Sequence, residues 1–315
     1  MTSPADRAIY YKPELAFDRG APALAPHLFA AERDAAFAAV SSGWIPLDLS
    51  DRLQVSWPCT TPAILARYGT LRAGDRLESR VAASGCAYYV LRGTGTTTVS
   101  GQTIEWTAGD AFVVPGFAKA AHRAAIPTIL FEASDAPLFG LLGASREERT
   151  AQPIEFAHFQ ARRIEEGLRE VHARKGEQKS AGKSVVFVTP ACAALRLLTP
   201  TLLASINSLE PGGDQRPHRH SSAALTLSIA GERVFSCVDG KRLDWVYGAV
   251  TLTPPGAVHS HHNRGSDTML SFVIQDTGLH THLQTTAFEW ATEDHTPSGT
   301  TGGGKPRNTE QEASR

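Results

Sequence analysis

Gly212-Gly213-Asp214-Gln215-Arg216-Pro217-His218-Arg219-His220, followed further along by Gly248, Pro254, Gly256, His259 and Asn263, is a two-part pattern, G-x5-H-x-H then G-x5-P-x-G-x2-H-x3-N. In a strand, residues i and i+2 point to one face, so His218 and His220 direct two imidazoles to the same side of a sheet. A turn rich in Pro and Gly then delivers His259 from a second strand. Three neutral nitrogens converging in a water-poor interior suit a borderline divalent metal such as iron or zinc, with coordination positions left for other ligands. An isolated H-x-H pair could equally be two solvated residues on a half-exposed strand. The glycines, Pro254 and Asn263 at set offsets make the metal reading the more specific one.

This two-part pattern resembles the paired motifs of the cupin superfamily, double-layered β-barrels that often carry a metal in the mouth. The rest of the chain agrees with a β-rich fold. Ala87-Tyr88-Tyr89-Val90-Leu91, Thr96-Thr97-Thr98-Val99 and Ala111-Phe112-Val113-Val114-Pro115 are short strand-like runs between Gly-rich turns, the spacing of an all-β sandwich or barrel.

A repeat organises the chain. At an offset of 138 residues Gly74 falls on Gly212 and Gly93 on Gly231; at 139, Trp106 falls on Trp245, Gly109 on Gly248 and Pro115 on Pro254. The expected architecture is all-β, with two tandem cupin jelly-roll barrels, an N-terminal arm and a linker helix. Residues 1–60 form the arm, 61–144 the first barrel, 145–190 the linker, 191–292 the second barrel and 293–315 a disordered tail. Under the overlay Arg80 meets His218, Ala82 meets His220 and Ala120 meets His259. Arginine stays protonated and alanine has no donor atom, so the first barrel is expected to be metal-free and architectural. The arm contains a helix-like stretch at 28–41 and strand-like Trp44-Ile45-Pro46-Leu47. In the linker, Ile164, Leu168 and Val171 recur at helical spacing, which predicts an amphipathic helix over 162–175 whose charges, with His172, form a solvated face.

At 315 residues and 42% apolar content the chain can bury a substantial core. Its formal net charge of −1 argues against nucleic acid as a main partner. No apolar run is long enough to span a bilayer, and Met1 to Lys12 lack the hydrophobic stretch of a secretory signal, so a cytoplasmic address with no membrane partner is expected. Cys59, Cys86, Cys192 and Cys237 form no C-x-x-C pair and read as small buried residues.

A narrower resemblance rests on Asn207-Ser208-Leu209-Glu210-Pro211-Gly212, on His218-Arg219-His220-Ser221-Ser222-Ala223-Ala224-Leu225-Thr226-Leu227, and on Leu252-Thr253-Pro254-Pro255-Gly256-Ala257-Val258-His259-Ser260-His261. These stretches look like the gentisate and salicylate 1,2-dioxygenase family of bicupins. The resemblance implies an Fe(II) cofactor held by His218, His220 and His259, with His261 beside the substrate as a hydrogen-bonding or proton-shuttling group. It implies a small aromatic substrate, salicylate- or gentisate-like or a substituted salicylate, together with O2, and a homo-oligomer, tetramer or dimer. Candidate substrate-binding residues are Asn207, Gln215, Arg216 and Thr226.

Three features depart from the family's pattern. The histidines lie in the second barrel, where the family commonly uses the first. Thr226 stands where an arginine commonly grips the substrate carboxylate, and Asn207 where a glutamine is usual. Arg196, Arg216 or Arg233 would then have to enter the pocket if a guanidinium is to hold the carboxylate. Ala224 stands where many cupins place a glutamate, so three neutral imidazoles leave a divalent charge uncompensated and favour an anionic, chelating ligand. Two other readings use the same residues: a cupin lyase, decarboxylase or isomerase employing the metal as a Lewis acid, and a non-catalytic ligand-binding cupin.

Overall fold

The computed structural model describes residues 3–12, 20–145, 152–174 and 182–291. The expected disordered tail, 293–315, lies outside them. In chain order the arm carries β1 (His27–Leu28), α1 (Ala30–Ala38), β2 (Gly43–Pro46) and the short α2 (Ser50–Leu53). Eight strands follow: β3 (Leu65–Leu71), β4 (Arg76–Ser79), β5 (Gly85–Arg92), β6 (Thr94–Val99), β7 (Gln102–Thr107), β8 (Ala111–Pro115), β9 (Ala120–Ala124) and β10 (Thr128–Ser134). After α3 (Ala136–Leu142), the connection contains β11 (Ala157–Phe159), α4 (Ala161–Ala173) and β12 (Lys183–Phe187). The second set is β13 (Leu203–Leu209), β14 (His218–His220), β15 (Ala224–Ala230), β16 (Val234–Val238), β17 (Lys241–Asp244), β18 (Val250–Thr253), β19 (His259–Asn263) and β20 (Met269–Gln275), then α5 (Thr277–His282) and β21 (Phe288–Trp290).

The two sets have one topology. In the first, β8-β5-β10-β3 face β7-β6-β9-β4; in the second, β18-β15-β20-β13 face β17-β16-β19-β14. All the pairings are antiparallel, and each set makes the two-sheet jelly roll expected from the repeat. The repeat's glycines have a physical cause. Gly93 and Gly231 have φ of 103° and 107°, and a Cβ would stand 2.8 Å from Thr128 Cα or 3.1 Å from Met269 Cα, beside the matching register shifts of β5–β10 and β15–β20.

Connecting segments cover sheet edges. From the arm, β1 pairs with β18 of the second barrel while β2 pairs with β3 of the first; from the linker, β11 pairs with β8 and β12 with β13. Each larger sheet is thereby extended at both ends by chain from outside its barrel. Helix α4 lies on β12 with Ile164 and Leu168 buried, as their spacing predicts. His172 departs from the solvated-face expectation: its Nε2 is 2.8 Å from Ser208 Oγ and its Nδ1 3.1 Å from Glu210 Oε1, which ties the helix to the second barrel.

The larger sheets pack against each other. Strands β5 and β10 are buried almost throughout because one face meets the second barrel and the other their own interior. Tyr89 stacks on Phe272 at 5.1 Å, and Phe131 meets the same ring edge-on. Tyr68 donates to Gly248 O (2.6 Å) and Tyr247 to Leu91 O (2.8 Å), so polar bonds also cross the apolar seam. The four cysteines are buried, and none forms a disulfide among the described residues. Among the described residues, no helix is long and apolar enough to cross a membrane.

Candidate metal centre

His218 and His220 lie on β14, and His259, which opens β19, is the cross-strand partner of His218. Their ligand nitrogens all fall within 4.8 Å of one another, and among the described residues this is the one group of three His, Cys, Asp or Glu that could hold a metal ion. Each ring is anchored from behind: His218 Nδ1 on Arg216 O (2.9 Å), His220 Nδ1 on Ser222 O (2.8 Å), His259 Nδ1 on Ala257 O (3.0 Å). A carbonyl can only accept, so each Nδ1 carries the ring's proton and each Nε2 is left with a free lone pair, the tautomer a metal needs. Burial is the main reason all three resist protonation. It brings His220 down to about 4, and His259, further opposed by the neighbouring imidazoles, falls well below the usual range.

The rings open onto a cavity of about 270 Å³. Its wall is built from hydroxyls and amides, among them Ser205, Asn207, Gln215, Thr226, Thr253 and Gln275, with Val273 and Phe288 as apolar surfaces. No described residue lining it carries a carboxylate, ammonium or guanidinium. A dication here would meet no fixed counter-charge, in keeping with Ala224 at the position that many cupins give to glutamate. Two lining atoms, Gln215 Oε1 and Thr253 Oγ1, are buried without a hydrogen-bond partner among the described residues, the condition of groups that await a ligand.

Asn207, Gln215 and Thr226 line the cavity, as does His261. Asn207 Oδ1 accepts from Ser205 Oγ (2.9 Å), which turns its amide nitrogen elsewhere. Arg216 does not line the cavity: its carbonyl is spent on His218, and its guanidinium sits 4.7 Å over the ring of Trp290, which itself packs 5.8 Å from His218 at the end of the neighbouring strand. Arg196 and Arg233 are exposed and do not line the cavity either. Asn263, the last residue of the motif, is structural. It donates to Leu209 O and Asp267 O and accepts from Gly265 N, closing the turn after β19.

The strand registers revise one element of the sequence overlay. His218 pairs with His259, whereas Ala120, which occupies the place of His259, pairs with Ser79. One extra residue between Asp214 and His218 shifts β14 relative to β4, so the counterpart of His218 is Ser79, while Arg80 is exposed and donates to Phe117 O.

Other site residues carry no sequence signature. Gln275 Nε2 stands 3.4 Å from His220 Nε2, its oxygen held by Thr277 Oγ1 (2.9 Å). β21 pairs with β14 and sets Phe288 5.2 Å from the His218 ring, which places an aromatic wall over the triad. Behind His261, Ser236 Oγ is 2.8 Å from Nδ1 and accepts from Trp245 Nε1 at 2.8 Å. Burial, reinforced by His218, His262 and His220, lowers His261 to about 3.

Residues 206–274 match the family model for the cupin domain. Over the larger scale, the structure superposes on salicylate 1,2-dioxygenase from Pseudaminobacter salicylatoxidans with a TM-score of 0.70, covering 87% of this chain and 91% of that one at 13% identity. The fold is that of a bicupin. Among curated proteins, this bicupin is 37% identical over 95 residues to a 5-aminosalicylate 1,2-dioxygenase of a Comamonas species, a stretch that is 30% of this chain and 25% of the relative. It is 31% identical over 121 residues, 38% of this chain and 33% of the relative, to a gentisate 1,2-dioxygenase of a Streptomyces species. These alignments thus span a quarter to a third of the curated relatives' length.

Proposed function

We propose that this bicupin is an Fe(II)-dependent dioxygenase that opens a hydroxylated aromatic acid between its hydroxyl-bearing and carboxyl-bearing carbons, with both atoms of O2 entering the product. The observation that carries the reading is the triad itself: three neutral imidazoles, two buried and that of His220 part-buried, each locked as the Nδ1–H tautomer, converge on a cavity without fixed charge. Named relatives that act on gentisate and 5-aminosalicylate support the same reaction class.

His218, His220 and His259 would hold the ion through Nε2. When bound, Fe(II) supplies a Lewis acid for a chelating hydroxy-carboxylate and a reductant for oxygen. The chain's own part is orientation and exclusion. The carbonyls of Arg216, Ser222 and Ala257 fix the ring planes, and burial keeps the rings unprotonated. Phe288 and Val273 limit water, while Gln215, Thr226 and Thr253 present neutral hydrogen-bonding groups to the ring substituents. No described arginine lines the cavity to grip the carboxylate. A bound ion, uncompensated by any lining charge, would supply the attraction for the carboxylate, and specificity falls to the hydroxyls and amides.

The test is anaerobic loading with Fe(II), then oxygen uptake with salicylate, gentisate, 5-aminosalicylate and substituted salicylates. Uptake matched by ring-opened product is expected with at least one of them. Bound iron with no uptake on the whole panel refutes the proposal.

A further inference from the structure

Behind the candidate centre, Trp245 Nε1, Ser236 Oγ and His261 Nδ1 form a chain of two 2.8 Å hydrogen bonds. The first barrel holds its counterpart: Trp106 Nε1 donates to Thr97 Oγ1 at 2.8 Å, and Thr97 Oγ1 is 2.8 Å from His122 Nδ1. We infer that Trp245 and Ser236 are positioning residues that fix His261 as the Nε2–H tautomer, so that it meets the bound ligand as a hydrogen-bond donor. That is the opposite of the three histidines beside it.

The direction of the chain follows from its donor end. An indole N–H only donates, so one lone pair of Ser236 Oγ is committed to Trp245. Ser236 is fully buried, and its remaining side-chain hydrogen-bond contact among the described residues is His261 Nδ1. Were Nδ1 protonated, it would donate to the serine as well, and the serine proton would be left in the interior without an acceptor, the costly arrangement for a buried hydroxyl. With Ser236 donating to Nδ1, every group in the chain is satisfied, and the ring's one proton stands on Nε2. Ser236 is not part of the cavity wall whereas His261 is, so the edge carrying Nε2 is the one turned to the ligand.

In the first barrel the same chain ends on nothing. His122 Nε2 has no hydrogen-bond partner among the described residues, and the ring lies among Tyr88, Phe112 and Trp44, at 5.0, 6.1 and 6.0 Å between centroids. The negative faces of those rings tolerate an N–H better than a lone pair, in agreement with the same tautomer there. The tryptophan–hydroxyl–histidine chain is therefore a device of the repeat, and only the second barrel opens its end to a ligand. Resting on the function proposed above, this narrows the role of His261: it donates to a substrate oxygen that carries negative charge, and it is not the base that first takes the phenolic proton.

The tautomer is read directly from long-range 1H–15N correlations on full-length, 15N-histidine-labelled protein, metal-free and loaded with diamagnetic Zn(II), with H261N used for assignment. The expected result is His261 protonated at Nε2 in both forms, with metal-free His218, His220 and His259 protonated at Nδ1. Ser236→Thr, which copies Thr97, keeps the Nε2–H form. Ser236→Ala and Trp245→Phe each produce a mixture of tautomers. In oxygen uptake, Ser236→Ala lowers kcat about tenfold or more with little change in KM or metal content, and Ser236→Thr restores it. An Nδ1–H signal for His261 in the unmodified chain, or an unchanged tautomer in both Ser236→Ala and Trp245→Phe, overturns the inference. Because the tautomer is measured without substrate or oxygen, a failure of the dioxygenase reading shows only in the uptake experiment and is distinguished from a failure here.

Discussion

The two barrels share topology, edge cover and the tryptophan–hydroxyl–histidine chain, yet one is filled and the other open. The difference is concentrated in one row across the larger sheet. In the first barrel the row reads Arg67, Glu132, Tyr88 and Phe112 across β3, β10, β5 and β8. In the second, the same register positions on β13, β20, β15 and β18 hold Ser205, Val273, Thr226 and Thr251. Arg67 makes two bonds to Glu132, at 2.7 and 3.0 Å, and Tyr88 Oη donates to the same carboxylate at 2.5 Å while its ring stacks on Phe112. Ser79, in the place of His218, bonds to both members of the ion pair. The first barrel thus lacks ligands and also lacks room, because a buried ion pair and two aromatic rings occupy the volume that the second barrel leaves as a cavity. Small, uncharged side chains in one row separate a scaffold from a site.

The strongest way to break this contrast is to remove a ligand. His220→Ala should reduce retained metal to background by elemental analysis, since two imidazoles of a three-histidine site do not hold a divalent ion through gel filtration. On the other side, Glu132→Ala leaves the Arg67 guanidinium buried without its partner. It should cost about 3–5 kcal/mol in denaturant unfolding, with metal content unaltered. Replacing both members, Arg67→Met with Glu132→Leu, should cost less than Glu132→Ala alone, about 2 kcal/mol or under, because no unpaired charge remains. A double variant less stable than the single one would show that the pair acts through more than its charge. The smallest change moves one piece of the filled row across: Thr226→Tyr should narrow the cavity and weaken aromatic-ligand binding about tenfold or more, roughly the 1.4 kcal/mol that a factor of ten represents, while leaving metal content intact.

The sequence carried much of this legibly where the signal is local. His218 and His220 share a face because they are two residues apart in a strand, and the offsets of Gly93 with Gly231 and Trp106 with Trp245 reveal the duplication because turn and hydrogen-bond requirements recur. The filled row was not legible. Arg67 and Glu132 are 65 residues apart and Tyr88 and Glu132 44, so only the strand register shows that they meet. For the same reason a uniform offset placed Arg80 opposite His218: a single extra residue before β14 changes the pairing without disturbing the glycines on which the overlay rests. Arg216 precedes the inward-facing His218 by two residues, but there the chain has not yet entered the strand, and the guanidinium stacks on Trp290 without reaching the cavity. Phe288 reaches the triad from beyond the second barrel's own eight strands, where no periodicity announces it.

The most direct test of the contrast between the barrels is metal stoichiometry. After anaerobic reconstitution with Fe(II) and removal of loosely held ions, the account predicts one ion per chain in the unmodified protein and in Glu132→Ala, and none in His259→Ala. Two ions per chain, or one ion retained after loss of His259, would contradict it.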